Sequence, residues 1–267
     1  MRKVTLIILA WNRWDLTRAC LDSLLETELA DAEVLVVDNG STDETPDRLA
    51  ELADPRVRVL RLNENVGFVR GNNAGIEAAD PASDVLLLNN DLIFGQRDWL
   101  QRLRAAAEAP GAGVVGCRLV LPDGRLLHAG TYIVPDTCWG QQIGALETDL
   151  GQYGALREVE GIVFACAFIR REVVEAIGGL ALDFESYFED TDYCLRARHA
   201  GFKVMLCGDV TLVHDEHGST RGADRERSAL FQTSREIFRR KWEEELTARY
   251  RGEVAWQSIM NFPPATP

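Results

Sequence analysis

The sequence predicts an α/β protein built on a doubly wound, mostly parallel central sheet with helices on both faces. Three observations predict it. Short apolar runs, Val4 to Ala10, Val34 to Val37 and Val85 to Leu88, stop abruptly at Trp, Asp or Asn followed by polar or Gly residues, as strands buried on both faces do. Segments between them carry apolar residues at helical spacing. Strand and helix patterns then alternate through the first half, the order a parallel sheet with crossover helices requires.

The first strand is Val4 to Ala10. With Arg2 and Lys3 before it the run imitates a signal peptide, but it is short, lacks a small-residue cleavage site and runs straight into Trp11-Asn12-Arg13-Trp14. A helix follows near Leu16 to Glu26, with Leu16, Cys20 and Leu24 on one face and Asp15 as its cap. Strand Glu33 to Asp38 leads to a helix opened by Ser41 and Glu44 at capping-box spacing. Strand Val57 to Leu62, a helix near Arg70 to Ala79 and strand Val85 to Leu88 complete the doubly wound half.

The second half is less regular. After a helix from Asp98 to Glu108, Val114 to Val120, the Pro122-Asp123-Gly124 turn and Leu126 onward predict a hairpin. Residues 135 to 158 carry Gly, Gln and Asp with little periodicity and read as a long loop. In Phe188-Glu189-Asp190-Thr191-Asp192-Tyr193-Cys194-Leu195-Arg196, a short helix that Gly201 stops, Glu189, Asp190 and Asp192 fall in the first turn, where the helix dipole favours negative charge. Capping needs one acid. Three acids behind Phe184, Tyr187 and Phe188 predict a walled cleft in which a carboxylate accepts a proton. Strand Thr211 to Val213 ends at His214. A last helix, from about Asp224 to Ala248, sets Leu230, Phe231, Ser234, Ile237, Phe238 and Trp242 on one face and Arg235, Arg239, Arg240 and Lys241 on another.

Composition narrows the classes. A chain of 267 residues with 46% hydrophobic content can bury one substantial core. The net charge of −13 argues against nucleic acid as a partner, since no basic patch could draw on counterion release. Cys20, Cys117, Cys138, Cys166, Cys194 and Cys207 show no C-x-x-C spacing, which predicts reduced thiols and a cytosolic compartment. No run approaches the roughly 18 apolar residues of a membrane span. Two motifs are refused. Gly111-Ala112-Gly113-Val114-Val115-Gly116 follows a helix and precedes a strand, the reverse of a dinucleotide fingerprint, and His214-Asp215-Glu216-His217 has the wrong order for a zinc site.

The segments Thr5 to Arg13, Val37-Asp38-Asn39-Gly40-Ser41-Thr42-Asp43, Asn65-Val66-Gly67-Phe68, Gly71-Asn72-Asn73-Ala74-Gly75-Ile76, Asn89-Asn90-Asp91 and Glu189-Asp190-x-Asp192 together resemble family 2 glycosyltransferases, in particular the rhamnosyltransferase-like branch. The resemblance runs from about residue 3 to about residue 220. It implies a GT-A fold: residues 1–222 as catalytic domain, with 1–92 the nucleotide-sugar-binding half and 93–222 a smaller acceptor-side β/α half, and 223–267 as C-terminal helix and irregular tail. It implies a UDP- or dTDP-sugar donor, a hexose or a deoxyhexose such as rhamnose, a glycan or lipid-linked glycan acceptor, Mn²⁺ or Mg²⁺, and inversion at the anomeric carbon. A cytoplasmic protein is expected, with a basic, aromatic C-terminal helix able to touch the inner face of a membrane.

Site residues carry over position by position. Asp190 is the implied base, and Asp91 the implied metal ligand together with His214, or with His217 in its place. Asn89 and Asn90 stand where the family's motif has acids, so the donor's phosphates should complete the ion's shell. Asp38 would accept from a pyrimidine N3–H, or form a turn with Asn39 and Gly40. Ala10, Asn12 and Arg13 would line the nucleoside, and Asn65, Gly67, Gly71 and Asn73 would surround the donor. Arg70 would reach the diphosphate or only cover the helix surface. Phe164, Ala165, Cys166, Glu189, Asp192 and Trp139 would line the sugar and acceptor pocket, with Tyr153 a further aromatic candidate. Two rival classes remain: a non-catalytic sugar-nucleotide-binding protein, and a nucleotidyltransferase, which would need a Gly- and Lys-rich loop where Trp11-Asn12-Arg13-Trp14 stands.

Overall fold

The computed structural model describes residues 2–134, 138–214 and 224–251. The doubly wound half comprises β1 (Val4–Ala10), α1 (Trp14–Leu25), β2 (Glu33–Asp38), α2 (Thr45–Ala50), β3 (Val57–Arg61), α3 (Gly67–Ala78) and β4 (Asp84–Asn89). It is followed by β5 (Leu92–Ile93), α4 (Trp99–Ala107), β6 (Ala112–Val120), β7 (Leu126–His128), β8 (Thr131–Val134), β9 (Trp139–Gln142) and β10 (Arg157–Glu158). Last come β11 (Cys166–Ile169), α5 (Arg171–Ile177), α6 (Glu189–His199), β12 (Lys203–His214) and α7 (Asp224–Arg251).

One continuous sheet has the order β10-β12-β6-β11-β4-β1-β2-β3. Strands β3, β2, β1 and β4 are mutually parallel, and β6 is parallel to β12. Strand β11, in the middle, is antiparallel to both neighbours. That reversal positions the site. The parallel strands leave the sheet at their carboxyl edge, and β11 enters there, so Phe164 and Ala165 stand beside the last residues of β4. The Asn89 N–H accordingly donates to the Ala165 carbonyl at 2.9 Å.

Alternation along the strands divides the core between the two faces. Leu6, Ile8, Leu86, Leu88 and Phe168 pack with Cys20, Leu21 and Leu24 of α1 and Trp99 and Leu103 of α4. Ile7, Leu35, Val37, Leu87 and Ala167 pack with Val69 and Ile76 of α3 and with Tyr193 and Leu195 of α6. Helix α7 joins this second layer through Phe238, Trp242 and Leu246, so its apolar stripe is packing surface.

Four local expectations give way to tertiary structure. Helix α1 begins at Trp14 with left-handed Arg13 as its N-cap, and Asp15 binds Arg13 at 2.8 Å instead of capping. The Ser41–Glu44 box does not form: α2 starts at Thr45, and the Ser41 hydroxyl accepts from the Asn12 N–H at 2.8 Å. The supposed loop after residue 135 contains β9, antiparallel to β8, and β10, antiparallel to β12. Strand β12 begins at Lys203, well before Thr211, and its first part escapes a sequence reading because Gly208 and Asp209 interrupt the apolar run where the register shifts between Cys207 and Thr211. Among the described residues no helix is long and apolar enough to cross a membrane.

Candidate active site

A cleft of about 330 Å³ opens at the carboxyl edge of the sheet, lined by Asn89, Asp91 and His214 on one side and by Phe188, Glu189, Asp190 and Thr191 on another. This is where open α/β sheets bind ligands. A larger groove at the opposite edge, lined by Thr5, Arg56 and Arg58 among others, is edged by paired charges, Arg58 with Glu33 and Arg56 with Asp54.

His214 ends β12 and Asp91 follows β4, which brings His214 Nε2 to 3.1 Å from Asp91 Oδ1. Both residues are buried, and Asp91 Oδ1 has no hydrogen-bond partner. Two donor atoms in contact without hydrogen-bond alignment are disposed as two ligands on one ion would be, and oxygen with imidazole nitrogen suits Mn²⁺ or Mg²⁺. No group of three or more His, Cys, Asp or Glu side chains is gathered for a metal among the described residues. Asp91 and His214 fit an ion whose remaining positions a bound ligand would fill. His217 lies outside the described residues.

At the head of α6, Tyr187 and Phe188 both have positive φ, 68° and 64°. Bulky residues rarely adopt that conformation, and here neighbours enforce it. Phe188 packs against Phe231 and Phe238 of α7, each at 5.3 Å, and the Ser234 hydroxyl donates to the Ser186 carbonyl at 2.6 Å. The tight entry turns Glu189 and Asp190 into the cleft. Asp190 Oδ1 accepts from the Thr191 N–H at 2.6 Å and its hydroxyl at 3.1 Å. Burial raises the Asp190 pKa against the lowering effect of these bonds and of the Phe164 amide. Burial first, and the neighbouring Asp190 second, push Glu189 up to about 8, so at neutral pH Glu189 holds its proton.

Residues 5–178 match the model of glycosyl transferase family 2. The chain belongs to that family. It is 34% identical over 228 residues to the O-antigen biosynthesis protein RfbC of Myxococcus xanthus, covering 82% of this chain but only 18% of that protein. It is 27% identical over 251 residues to the N-acetylglucosaminyl-diphospho-decaprenol L-rhamnosyltransferase of Mycobacterium tuberculosis (strain ATCC 25618 / H37Rv), covering 84% of this chain and 81% of that one. These similarities support the rhamnosyltransferase-like branch. The fold is shared with a mannosyltransferase from Pyrobaculum calidifontis solved with GDP-Man and Mn²⁺, at a TM-score of 0.63 and 20% identity over 99% of this chain and 77% of that one. The architecture is thus the GT-A fold.

In this family-2 chain the residues expected to line the nucleoside lie at the ends of β1 and β2. Asp38 is fully buried, and its two oxygens differ: Oδ1 accepts from the Ser41 N–H at 2.9 Å, while Oδ2 has no hydrogen bond and sits 3.8 Å from Arg61 Nε. The turn role and an open acceptor coexist. Asn12, at φ 54°, accepts from the Thr42 and Asp43 amides at 2.8 and 3.3 Å. Asn65 Oδ1 accepts from Asn39 Nδ2 and the Gly67 N–H, both at 2.9 Å. Ala10 is paired with Asp38 across the strands, and Arg13 is held by Asp15.

Several predicted residues are not in the cleft. Asp192 is fully buried on the far side of α6, its carboxylate bound by Arg196, Lys241 and Trp242 at 2.8, 2.7 and 2.9 Å. Asn90 turns away to donate to Thr17 Oγ1 at 2.9 Å. Asn73 clamps the backbone N–H and C=O of Leu180 at 2.8 and 2.9 Å. Gly71 lets α3 approach β1, since a Cβ there would lie 2.6 Å from Leu9 Cδ1, so it serves packing and not a ligand. Cys166 belongs to the core layer around Cys117. Arg70 is exposed on the surface of α3. Phe164 borders the cleft, yet its ring is packed edge-on against Tyr193 at 5.5 Å. Tyr153 rests under Arg157 and bonds Glu147. Trp139 lies in β9, whose next residue, Gly140, lines the cleft beside Gln142. Gln142 had no sequence signal as a lining residue, because the β8–β9 pairing that delivers it is not written in its periodicity.

Proposed function

We propose that this chain is a metal-dependent, inverting glycosyltransferase that moves a hexose or a deoxyhexose such as rhamnose from a UDP- or dTDP-sugar to a glycan or lipid-linked glycan. The observation that carries it is the shared cleft of a basic carboxylate, Asp190, and a buried Asp91–His214 pair.

Asp91 and His214 would hold Mn²⁺ or Mg²⁺, which neutralises charge on a departing diphosphate when bound. Asp190 takes the proton from the acceptor hydroxyl as its oxygen forms a bond to the anomeric carbon and the bond to the diphosphate oxygen breaks on the opposite face. Raised by burial, Asp190 is a better base than an exposed Asp. Protonated Glu189 spares it a second negative charge. Asp38 Oδ2 is the acceptor for the pyrimidine N–H, on a rigid strand end. In this reading residues 1–222 are the catalytic unit. The enzyme works in the cytoplasm, with Arg239 and Arg240 of α7 nearest a membrane that carries a lipid-linked acceptor.

A thermal-shift screen of UDP-, dTDP- and GDP-sugars tests the reading, because a ligand that binds only the native state raises the melting temperature. A shift that requires Mn²⁺ is expected, and Asp91→Ala should abolish it while the apo protein melts as before. Failure of every sugar nucleotide, or wild-type affinity in Asp91→Ala, would overturn it.

A further inference from the structure

His128 and Gln142 form a unit that the reaction described above does not use. His128 ends β7 and is buried, and its Nε2 lies 3.2 Å from the Gly130 N–H and 3.4 Å from the Val163 N–H. A backbone amide can only donate, so Nε2 carries no proton and accepts from both. Burial depresses this imidazole to about 4, which keeps the ring neutral at pH 7 with its one proton on Nδ1. Nδ1 meets the side-chain amide of Gln142. Amide orientation is ordinarily a matter of assignment, but here the chemistry decides it, because the atom facing an N–H must be the oxygen.

Strand register supplies a second donor. Thr131 is paired with Gln142 across β8 and β9, and its hydroxyl donates to the same Oε1 at 3.1 Å. The oxygen is thereby filled, and Gln142 must present its nitrogen. That nitrogen, with two N–H donors, has no hydrogen-bond partner among the described residues, and Gln142 lines the cleft with Asp91, His214 and Asp190.

We infer that Gln142 reads the transferred sugar, its amide N–H groups donating to a hydroxyl or ring oxygen of that sugar, and that His128 is the positioning residue that keeps the nitrogen outward. The inference rests on the glycosyl-transfer reading. A neutral amide suits a neutral oxygen; the diphosphate calls for a cation. The sugar is that of the donor, because Gln142 lines the same cleft as His214 and Asp91, and an ion held by those two would bind the diphosphate to which the donor sugar is attached.

Two measurements test it. In ¹⁵N spectra of the metal-free protein at pH 7, the His128 signals, identified by their absence in His128→Leu, should show a protonated Nδ1 and a bare Nε2. The opposite tautomer would overturn the positioning role. Gln142→Met keeps length and neutrality but removes the donors. With Mn²⁺ present, the advantage of UDP-glucose over UDP, or of dTDP-rhamnose over dTDP, should fall roughly 10-fold, as for one lost hydrogen bond, while affinity for UDP or dTDP stays unchanged; the melting temperature should fall, because the substitution also removes the oxygen that accepts from buried His128 and from Thr131. His128→Leu should lose the same advantage, and His128→Asn, which retains an N–H near the Nδ1 position, should recover part of it. An unchanged advantage in Gln142→Met, or an effect confined to acceptor KM, overturns the inference. If the wild-type protein binds neither sugar nucleotide nor any other in the screen, the glycosyl-transfer reading has failed and takes this inference with it, whatever the tautomer.

Discussion

At the ends of β1 and β2 the polar side chains are largely occupied by neighbouring groups, whereas Asp91 and His214 at the ends of β4 and β12 and Glu189 at the head of α6 each keep a buried atom without a partner. Asn12, Asn39, Ser41 and Asn65 bind backbone amides or one another, fixing the loops before any ligand arrives. On the other side Asp91 Oδ1, His214 Nδ1 and Glu189 Oε2 are buried without a partner. A satisfied amide network makes a rigid seat, while an unsatisfied buried carboxylate costs free energy until something completes it. In the proposed function the contrast separates the residues that would shape a nucleoside site from those that would do chemistry. Asp38 belongs to both, with one oxygen tied to Ser41 and the other open.

The contrast breaks most visibly at Asp190. Asp190→Asn should lower transfer by roughly 10²–10⁴-fold, the usual cost of a lost general base, and leave donor and metal affinity intact. Asn has the size of Asp and its oxygen can still accept from Thr191, so the fold should hold. Nucleoside diphosphate release and calorimetric titration of donor measure the two sides. Near-native turnover here, with an inactive Glu189→Gln, would move the base one residue toward the N-terminus.

Asp192 sharpens the contrast from the same helical turn. Its carboxylate is fully satisfied by Arg196, Lys241 and Trp242, so it ties α6 to α7 and touches no ligand. Asp192→Ala should cost on the order of 3 kcal/mol of stability in urea, as removal of one partner from a buried charged group does. Turnover per folded molecule should change only a few-fold. A variant that is stable and inactive would return Asp192 to the cleft.

What the sequence made legible follows this division. Strands β1, β2 and β4 were readable because full burial leaves an uninterrupted apolar run, and the residues closing those runs, Asp38 and Asp91, are where a parallel sheet opens. Side-chain direction was not readable. Asp190 and Asp192 stand two residues apart in one acidic cluster, yet only α7, far along the chain, determines that Asp192 faces the core. Asn90 and Asn73 misled for the same reason, each matching the motif while bonding a distant element, Thr17 and Leu180. Gln142 and His128 were invisible, because a non-local strand pair and two backbone amides give them their roles.

Glu189 tests the contrast by proton count. Burial and the adjacent Asp190 hold its carboxyl at about 8 in the folded protein, against an ordinary value of 4.5 in the unfolded chain. Between those values the unfolded chain has lost this proton and the folded one keeps it, so folding takes up a proton and stability falls as pH rises through the window. The loss between pH 5 and pH 8 should be on the order of 3 kcal/mol, at about 1.4 kcal/mol for each pH unit of the window. Glu189→Gln has no proton to lose, so its urea midpoint should decline less over the same range. Equal slopes for the two proteins would mean that Glu189 is ionised throughout. Asp190 would then stand beside a second negative charge, and the arrangement of one protonated and one ionised carboxyl at the head of α6 would not hold.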